Sequence, residues 1–281
     1  MTLTKENDMT TKITPEAAAL LALDSKIALV ATKDDEGCPH ITFLSSLQGL
    51  GEDKLTFGQF MVGLSKQFLP ERPDCAFLAL SADMNWLRGR ARFSHKATTG
   101  PEFDMYNNKP LFRYNTYFGI HTVWYLDLVE IEPLQKLPMP KIVAGALLSR
   151  AAALPSAKSE TGALSLVSRK LFGAIAGLKF IAYEKDGLRI VPVIQATHAG
   201  TDRIAFAGVP FGALLKEIPA GAKVAMLALN LDMQSVLAKG TFMGKRGGAY
   251  VVEVERVYNS MPPAIGYVYP RANRPEPVTE F

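Results

Sequence analysis

Lys26-Ile-Ala-Leu-Val-Ala-Thr-Lys33 followed by Asp34-Asp-Glu-Gly37 is a strand-like apolar run closed by a turn. The chain repeats it as Lys179-Phe-Ile-Ala-Tyr-Glu-Lys-Asp-Gly187. Outward from this pair the agreement continues. His40-Ile-Thr-Phe-Leu-Ser-Ser46 answers to Arg189-Ile-Val-Pro-Val-Ile194, and Lys54-Leu-Thr-Phe-Gly58 to Arg203-Ile-Ala-Phe-Ala207. Cys75-Ala-Phe-Leu-Ala-Leu80 answers to Val224-Ala-Met-Leu-Ala-Leu229, and Asp83-Met-Asn-Trp-Leu-Arg-Gly89 to Asp232-Met-Gln-Ser-Val-Leu237. Order and spacing agree over roughly 65 residues, which marks an internal duplication.

Short alternating runs bounded by Gly, Pro and Asp predict strands at 40–47, 53–60, 75–81, 86–95, 122–132 and 249–257. Thr14-Pro15-Glu16 before an Ala/Leu run reads as a capped helix start, ending near Asp24. Residues 64–72, 101–113, 141–154 and 164–176 also read as helical. The sum is a mainly β (α+β) chain of small-barrel rhythm, with helices too few for alternating βαβ units. The expected division is a first copy at 14–133, a linker with a short helix at 134–161, a second copy at 162–258 and a tail at 259–281. The prolines of that tail predict an extended arm.

A chain of 281 residues, 48% hydrophobic and 21% charged, can bury a substantial core. The net charge of +4 suits an anionic small ligand and sets no requirement for nucleic acid. Cys38 and Cys75 form neither a disulfide framework nor a zinc quartet. The acidic N-terminus has no apolar core of a secretory signal, and no apolar run is long enough to span a membrane. The expectation is a cytoplasmic protein with a small-molecule substrate or electron donor and no membrane or nucleic-acid partner.

Gly58-Gln-Phe-Met-Val-Gly63-Leu-Ser65-Lys66-Gln67 follows a strand and opens a helix, a place where N–H groups, a hydroxyl and a lysine suit an anion. Its counterpart, Gly208-Val-Pro-Phe-Gly212-Ala-Leu-Leu-Lys216, has aliphatics where Ser65 and Lys66 stand. A loop kept only for the fold keeps its character in both copies, so the polar difference points to a ligand on one side. Arg88, Arg90 and Arg92 share one strand face, which disfavours a dry core there. One or two of them suit an anionic ligand. Gly240-Thr-Phe-Met-Gly-Lys-Arg246 is one residue short of a phosphate loop and reads as a strand with a hairpin turn. No dinucleotide fingerprint or serine-nucleophile elbow occurs. His40, His95, His121 and His198 lack metal-ligand spacing.

Taken together, the helix before Ile27, the acidic-Gly turn, Cys38-Pro-His40-Ile-Thr42, Leu55-Thr-Phe57-Gly58, Ser65-Lys66, Arg72-Pro73-Asp74 and Trp86-Leu-Arg-Gly89 resemble the FMN-binding split β-barrel family, related to pyridoxamine 5′-phosphate oxidases. The resemblance covers 14–132 and extends through the degenerate copy to about 258. It implies two tandem split β-barrels packed as an intrachain pseudo-dimer, and leaves further self-association open. It implies FMN held at its phosphate by Ser65, Lys66 and Gln67, with Arg88 or Arg90 assisting. Thr42, Phe43, Leu44 and Ser45 would line the isoalloxazine, with Phe60 and Met61 close by. The implied activity is that of a flavin-dependent oxidoreductase. A deazaflavin or a haem in place of FMN, or a non-catalytic electron carrier, are the alternatives. No general acid or base stands out beyond His40, Tyr117 and Tyr125. Leu69 departs from the family's asparagine, and Tyr269-Pro-Arg271-Ala-Asn-Arg274 only loosely echoes its substrate motif.

Overall fold

The computed structural model describes residues 9–59, 63–109, 119–153, 162–230, 232, 234–260 and 265–270. These residues form two eight-stranded antiparallel sheets. The first holds β1 (Lys26–Lys33), β2 (Pro39–Phe43), β3 (Gln48–Leu50), β4 (Lys54–Gln59), β5 (Asp74–Ser81), β6 (Asn85–Ala97), β7 (Thr122–Ile131) and β8 (Gln135–Lys136). Its order is β2-β1-β5-β6-β7-β4-β3, with β8 on β6. The second holds β9 (Leu178–Glu184), β10 (Leu188–Pro192), β11 (Thr197–Ala199), β12 (Arg203–Phe206), β13 (Lys223–Leu229), β14 (Ser235–Arg246), β15 (Ala249–Asn259) and β16 (Gly266–Tyr269). Its order is β10-β9-β13-β14-β15-β12-β11, with β16 on β15.

The repeat therefore survives as topology, and the ladders fix it residue by residue. Leu80 faces Ile27 and Trp86, while Leu229 faces Leu178 and Ser235, so Leu80 answers to Leu229 and Trp86 to Ser235. The β6–β7 ladder slips between Arg90 and Ala91 and again after Phe93. The β14–β15 ladder slips between Lys239 and Gly240 and again after Phe242, at the same two places. Bulges re-aim a strand and close a curved sheet, so their retention preserves the curvature. Each unit also keeps an aromatic trio. Trp124 packs on Phe57 and Phe93 with ring centroids 5.9 and 5.1 Å away, and Tyr250 packs on Phe206 and Phe242 at 5.9 and 5.7 Å. Such pairs contribute about 0.5–1.5 kcal/mol each beyond their burial.

The chain forms two compact units. One contains the residues up to Lys33 together with Thr42–Leu137, and the other contains Asp34–Ile41 together with Pro138 onward. The turn after β1 thus belongs to the second unit, although the repeat places it in the first copy.

Helix α1 (Pro15–Ala22) starts as the sequence predicts, with Thr14 Oγ1 accepting from Ala17 N at 3.3 Å and proline in the first turn. Helix α2 (Leu64–Phe68) is shorter than the predicted 64–72, because Pro70 follows its last turn directly. Helix α3 (Pro101–Asn108) covers the start of 101–113, and residues 110–113 lie outside the described part. Helices α4 (Met139–Ala153), α5 (Leu166–Gly173) and α6 (Gly212–Leu215) follow in the second unit.

Helix α4 is more than a linker element. In the first unit α3 packs on β4 and β7; in the second, α4 packs on their equivalents β12 and β15, and also on β11. A helix from a different point of the chain fills the same seat. It sits close because Gly145 has no side chain: a Cβ there would lie 2.2 Å from the Val209 carbonyl oxygen. Ser149, fully buried, accepts a hydrogen bond from Ala207 N at 2.8 Å. The tail, expected as an extended arm, is extended at Gly266–Tyr269, where it pairs with β15 as β16. Gly247 and Gly248, with φ of 56° and 92°, make the predicted turn after β14.

Candidate functional site

In the first unit, three hydroxyls meet where β1, β2 and α2 come together. Ser65 Oγ lies 2.5 Å from Thr42 Oγ1, and Thr32 Oγ1 donates to Ser65 Oγ at 3.4 Å. Thr32 and Ser65 are buried and Thr42 is half-buried. Beside them on α2, burial pulls the pKa of Lys66 down to about 8. An arriving anion would reverse that, because an adjacent negative charge favours the ammonium form.

The second unit supplies the control. Leu44 N and Val193 N donate to the equivalent carbonyls of Ala28 and Lys179, so Thr42 answers to Val191. Strands β5 and β13 begin at the equivalent Asp74 and Lys223, nine residues after Ser65 and Leu214 respectively. Ser65 and Lys66 thus answer to Leu214 and Leu215, and Thr32 to Tyr183 through the β1–β5 and β9–β13 ladders. Among the described residues the hydroxyl cluster and its lysine occur in the first unit and not at the equivalent positions of the second.

Thr32 did not stand out in the sequence. Its only signal was a hydroxyl inside the apolar run of β1, whose partner lies 33 positions away. Of the other predicted site residues, Leu44 is buried, Phe43 and Ser45 are half-buried, and Gln67 is exposed. Phe60, Met61 and Tyr117 lie outside the described residues, as do Arg271–Arg274.

The arginine face differs from the expectation of an undry strand. Arg88 is buried, with its Nη2 2.6 Å from Glu132 Oε1, and Arg90 is held by both oxygens of Glu130 at 2.7 and 2.9 Å. Arg92 pairs with Asp74 at 2.8 Å. Each cation meets a carboxylate on or just beyond a neighbouring strand; the pairing permits Arg88 to be buried, while Arg92 and Asp74 stay exposed, as the basic face predicts for that end. Their positive charge is thus largely met within the sheet, and Lys66 is the cation beside the hydroxyl cluster.

Tyr125 Oη donates to Glu102 at 2.9 Å, and burial together with that carboxylate raises its pKa to about 12. His40 lies buried in the second unit, edge-on to Tyr258 with centroids 5.0 Å apart. Burial and then Lys239 hold its pKa well below the ordinary value, so the ring is neutral. Among the described residues no group of three or more His, Cys, Asp or Glu side chains is placed to hold a metal ion. No described helix is long and apolar enough to cross a membrane.

The second unit contains a charge cluster that sequence spacing could not reveal. Lys239, on β14, donates to Asp34 Oδ2 at 2.7 Å, with both side chains nearly inaccessible. Arg256 on β15 reaches Glu36 at 3.0 Å and Asp34 at 3.7 Å. In the first unit the cross-strand partners at these positions are Arg90 and Glu130; here both are cations, Lys239 and Arg256. The acidic turn Asp34–Glu36 supplies the missing negative charge.

No family model and no curated protein matches this chain. Solved structures do. An FMN-binding protein from Syntrophomonas wolfei subsp. wolfei is 19% identical, covering 43% of this chain and 84% of its own, with a TM-score of 0.36. HupZ from Group A Streptococcus is 16% identical over 42% of this chain and 91% of its own, with a TM-score of 0.36. An F420 reductase is 15% identical over 40% and 93%, with a TM-score of 0.33. Each spans about as much sequence as one unit does here. Over about one unit's length the chain is thus similar to these three solved structures, while its fold is established by its own two matching sheets.

Proposed function

We propose that the protein is an FMN-binding oxidoreductase with one flavin site per chain, in the first unit. The observation that carries this reading is the Thr32–Thr42–Ser65 hydroxyl cluster beside Lys66, present in one copy and replaced by Tyr183, Val191, Leu214 and Leu215 in the other. The donor set fits a phosphate: hydroxyls that both donate and accept, and an ammonium whose burial is relieved by an anion. Ser65 and Lys66 would hold the phosphate, Thr32 and Thr42 would orient Ser65, and the half-buried Phe43 and Ser45 would wall the ring system. FMN, once bound, supplies the redox chemistry on a small molecule. This chain's residues position it and shield it from water.

The test is the visible spectrum of the purified protein, followed by titration with FMN. Lys66→Ala is expected to weaken FMN binding by about tenfold or more, the loss of a charge-assisted contact of roughly 1.5–3 kcal/mol. Lys216→Ala, at the degenerate loop, is expected to leave it unchanged. Equal losses would contradict a single site, a Soret band would indicate haem, and a colourless protein indifferent to FMN would overturn the flavin reading.

A further inference from the structure

A second site is built into the second unit, apart from the hydroxyl cluster. Between α4, the β12–α6 loop and the β14–β15 turn lies a cleft of about 930 Å³, within the usual size of small-molecule sites. Three lysines reach it from three elements: Lys141 on α4, Lys216 just after α6 and Lys245 near the end of β14. Among the described residues, none of the three pairs with a carboxylate, and no acidic residue lines the cleft. Three lysines and no acid among its lining give the cleft a positive balance, which suits an anion.

The remaining wall is apolar. Leu148 and Val209 are 54% and 41% exposed, with Pro210 between loop and helix. Gly212 also lines the cleft, and its glycine is not explained by the protein alone. A Cβ there would meet nothing within 4 Å, and its φ is not in the left-handed region. A body that comes close to the backbone at this point would explain it. We propose that this cleft binds an organic anion, an aliphatic or small aromatic body carrying a carboxylate or sulfonate, with the lysines on its charge and Leu148 and Val209 on its body.

The full chain titrated with anilinonaphthalene sulfonate, an aromatic anion that fluoresces in apolar surroundings, tests this. Saturable enhancement is expected. The triple variant Lys141→Ala/Lys216→Ala/Lys245→Ala should weaken it by about tenfold or more, the scale on which lost charge contacts act. Gly212→Val, whose Cβ would meet nothing within 4 Å in the fold, adds bulk to the cleft and should weaken it as well. Lys170→Ala, an exposed lysine of α5 outside the cleft, should leave it unchanged. Decanoate should displace the dye at far lower concentration than inorganic phosphate. Wild-type titration by the triple variant or by Gly212→Val, equal loss in Lys170→Ala, or equal displacement by phosphate would each overturn the proposal. None of these readouts involves Lys66, so the flavin reading stands or falls separately.

Discussion

Asp34 shows how much can rest on one carboxylate. It accepts from Lys239 at 2.7 Å in a place almost closed to solvent. Asp34→Ala leaves that ammonium buried without its counter-ion, and the expected cost is about 3–5 kcal/mol, read as a fall in the urea midpoint. Asp34→Asn combined with Lys239→Met, which removes both charges and keeps an oxygen for the Glu36 and Cys38 N–H groups, should recover most of it. In the sequence Asp34 is an acid in a turn, and that much is legible. Its partner lies 205 positions away and no local pattern marks it. Lys179 carries a different expectation. Its Nζ donates to the carbonyls of Ala174, Gly177 and Ile194, and burial lowers its pKa to about 8. Because the folded value lies below the unfolded one, the folded protein loses this proton first. Stability should rise with pH from about 8 to the ordinary 10.5. Relative to Lys179→Met, the gain expected across that window is roughly 1–3 kcal/mol, the carbonyls offsetting part of the shift.

At the scale of elements, the strands and the helix over 141–154 were legible, but the seat of that helix on the sheet was not. Apolar runs closed by turn residues marked β1, β4, β5, β6, β7 and β15, and β1, β4 and β5 are buried along most of their length, as strands covered on both faces are. Helix α4 is apolar on several sides, so its pattern could not say which face was covered. Its seat depends on Gly145 and Ser149 meeting the β12 loop, a contact that only folding creates. The bulges were equally invisible, because a ladder slip is a relation between two strands. Gly240 sits at one of them, where a Cβ would come 1.9 Å from the Glu253 carbonyl oxygen. Gly240→Ala must therefore move backbone, and a loss of about 2–4 kcal/mol is expected in thermal or urea unfolding.

For the whole molecule, the internal repeat carried the reading furthest. Two copies under the same folding constraint keep the aromatic trio and the bulge positions; a ligand constrains only the copy that binds it. The comparison thus separates scaffold from site without any second sequence. It singles out Ser65 and Lys66 as the polar difference between the copies, whereas Glu132 and Glu130, the partners of Arg88 and Arg90, could not be paired with them by spacing alone. A stoichiometry of one FMN per chain, lost in Lys66→Ala, is the expected outcome of equilibrium dialysis, and two per chain would contradict the single flavin site.

The placement of Asp34–Ile41 with the second unit bears on where a gene for this protein could be split. A break after Leu137 looks natural in the sequence, since it falls between the copies. Yet the downstream piece would carry Lys239 and Arg256 while Asp34 and Glu36 stayed with the upstream one. Expressed alone, residues 138–270 are expected to be insoluble or molten by near-ultraviolet circular dichroism, and Lys239→Met to improve them. Duplication here is not reversible by simple fission: once the acidic turn took over as counter-ion, the descendants of the two copies could no longer be inherited separately.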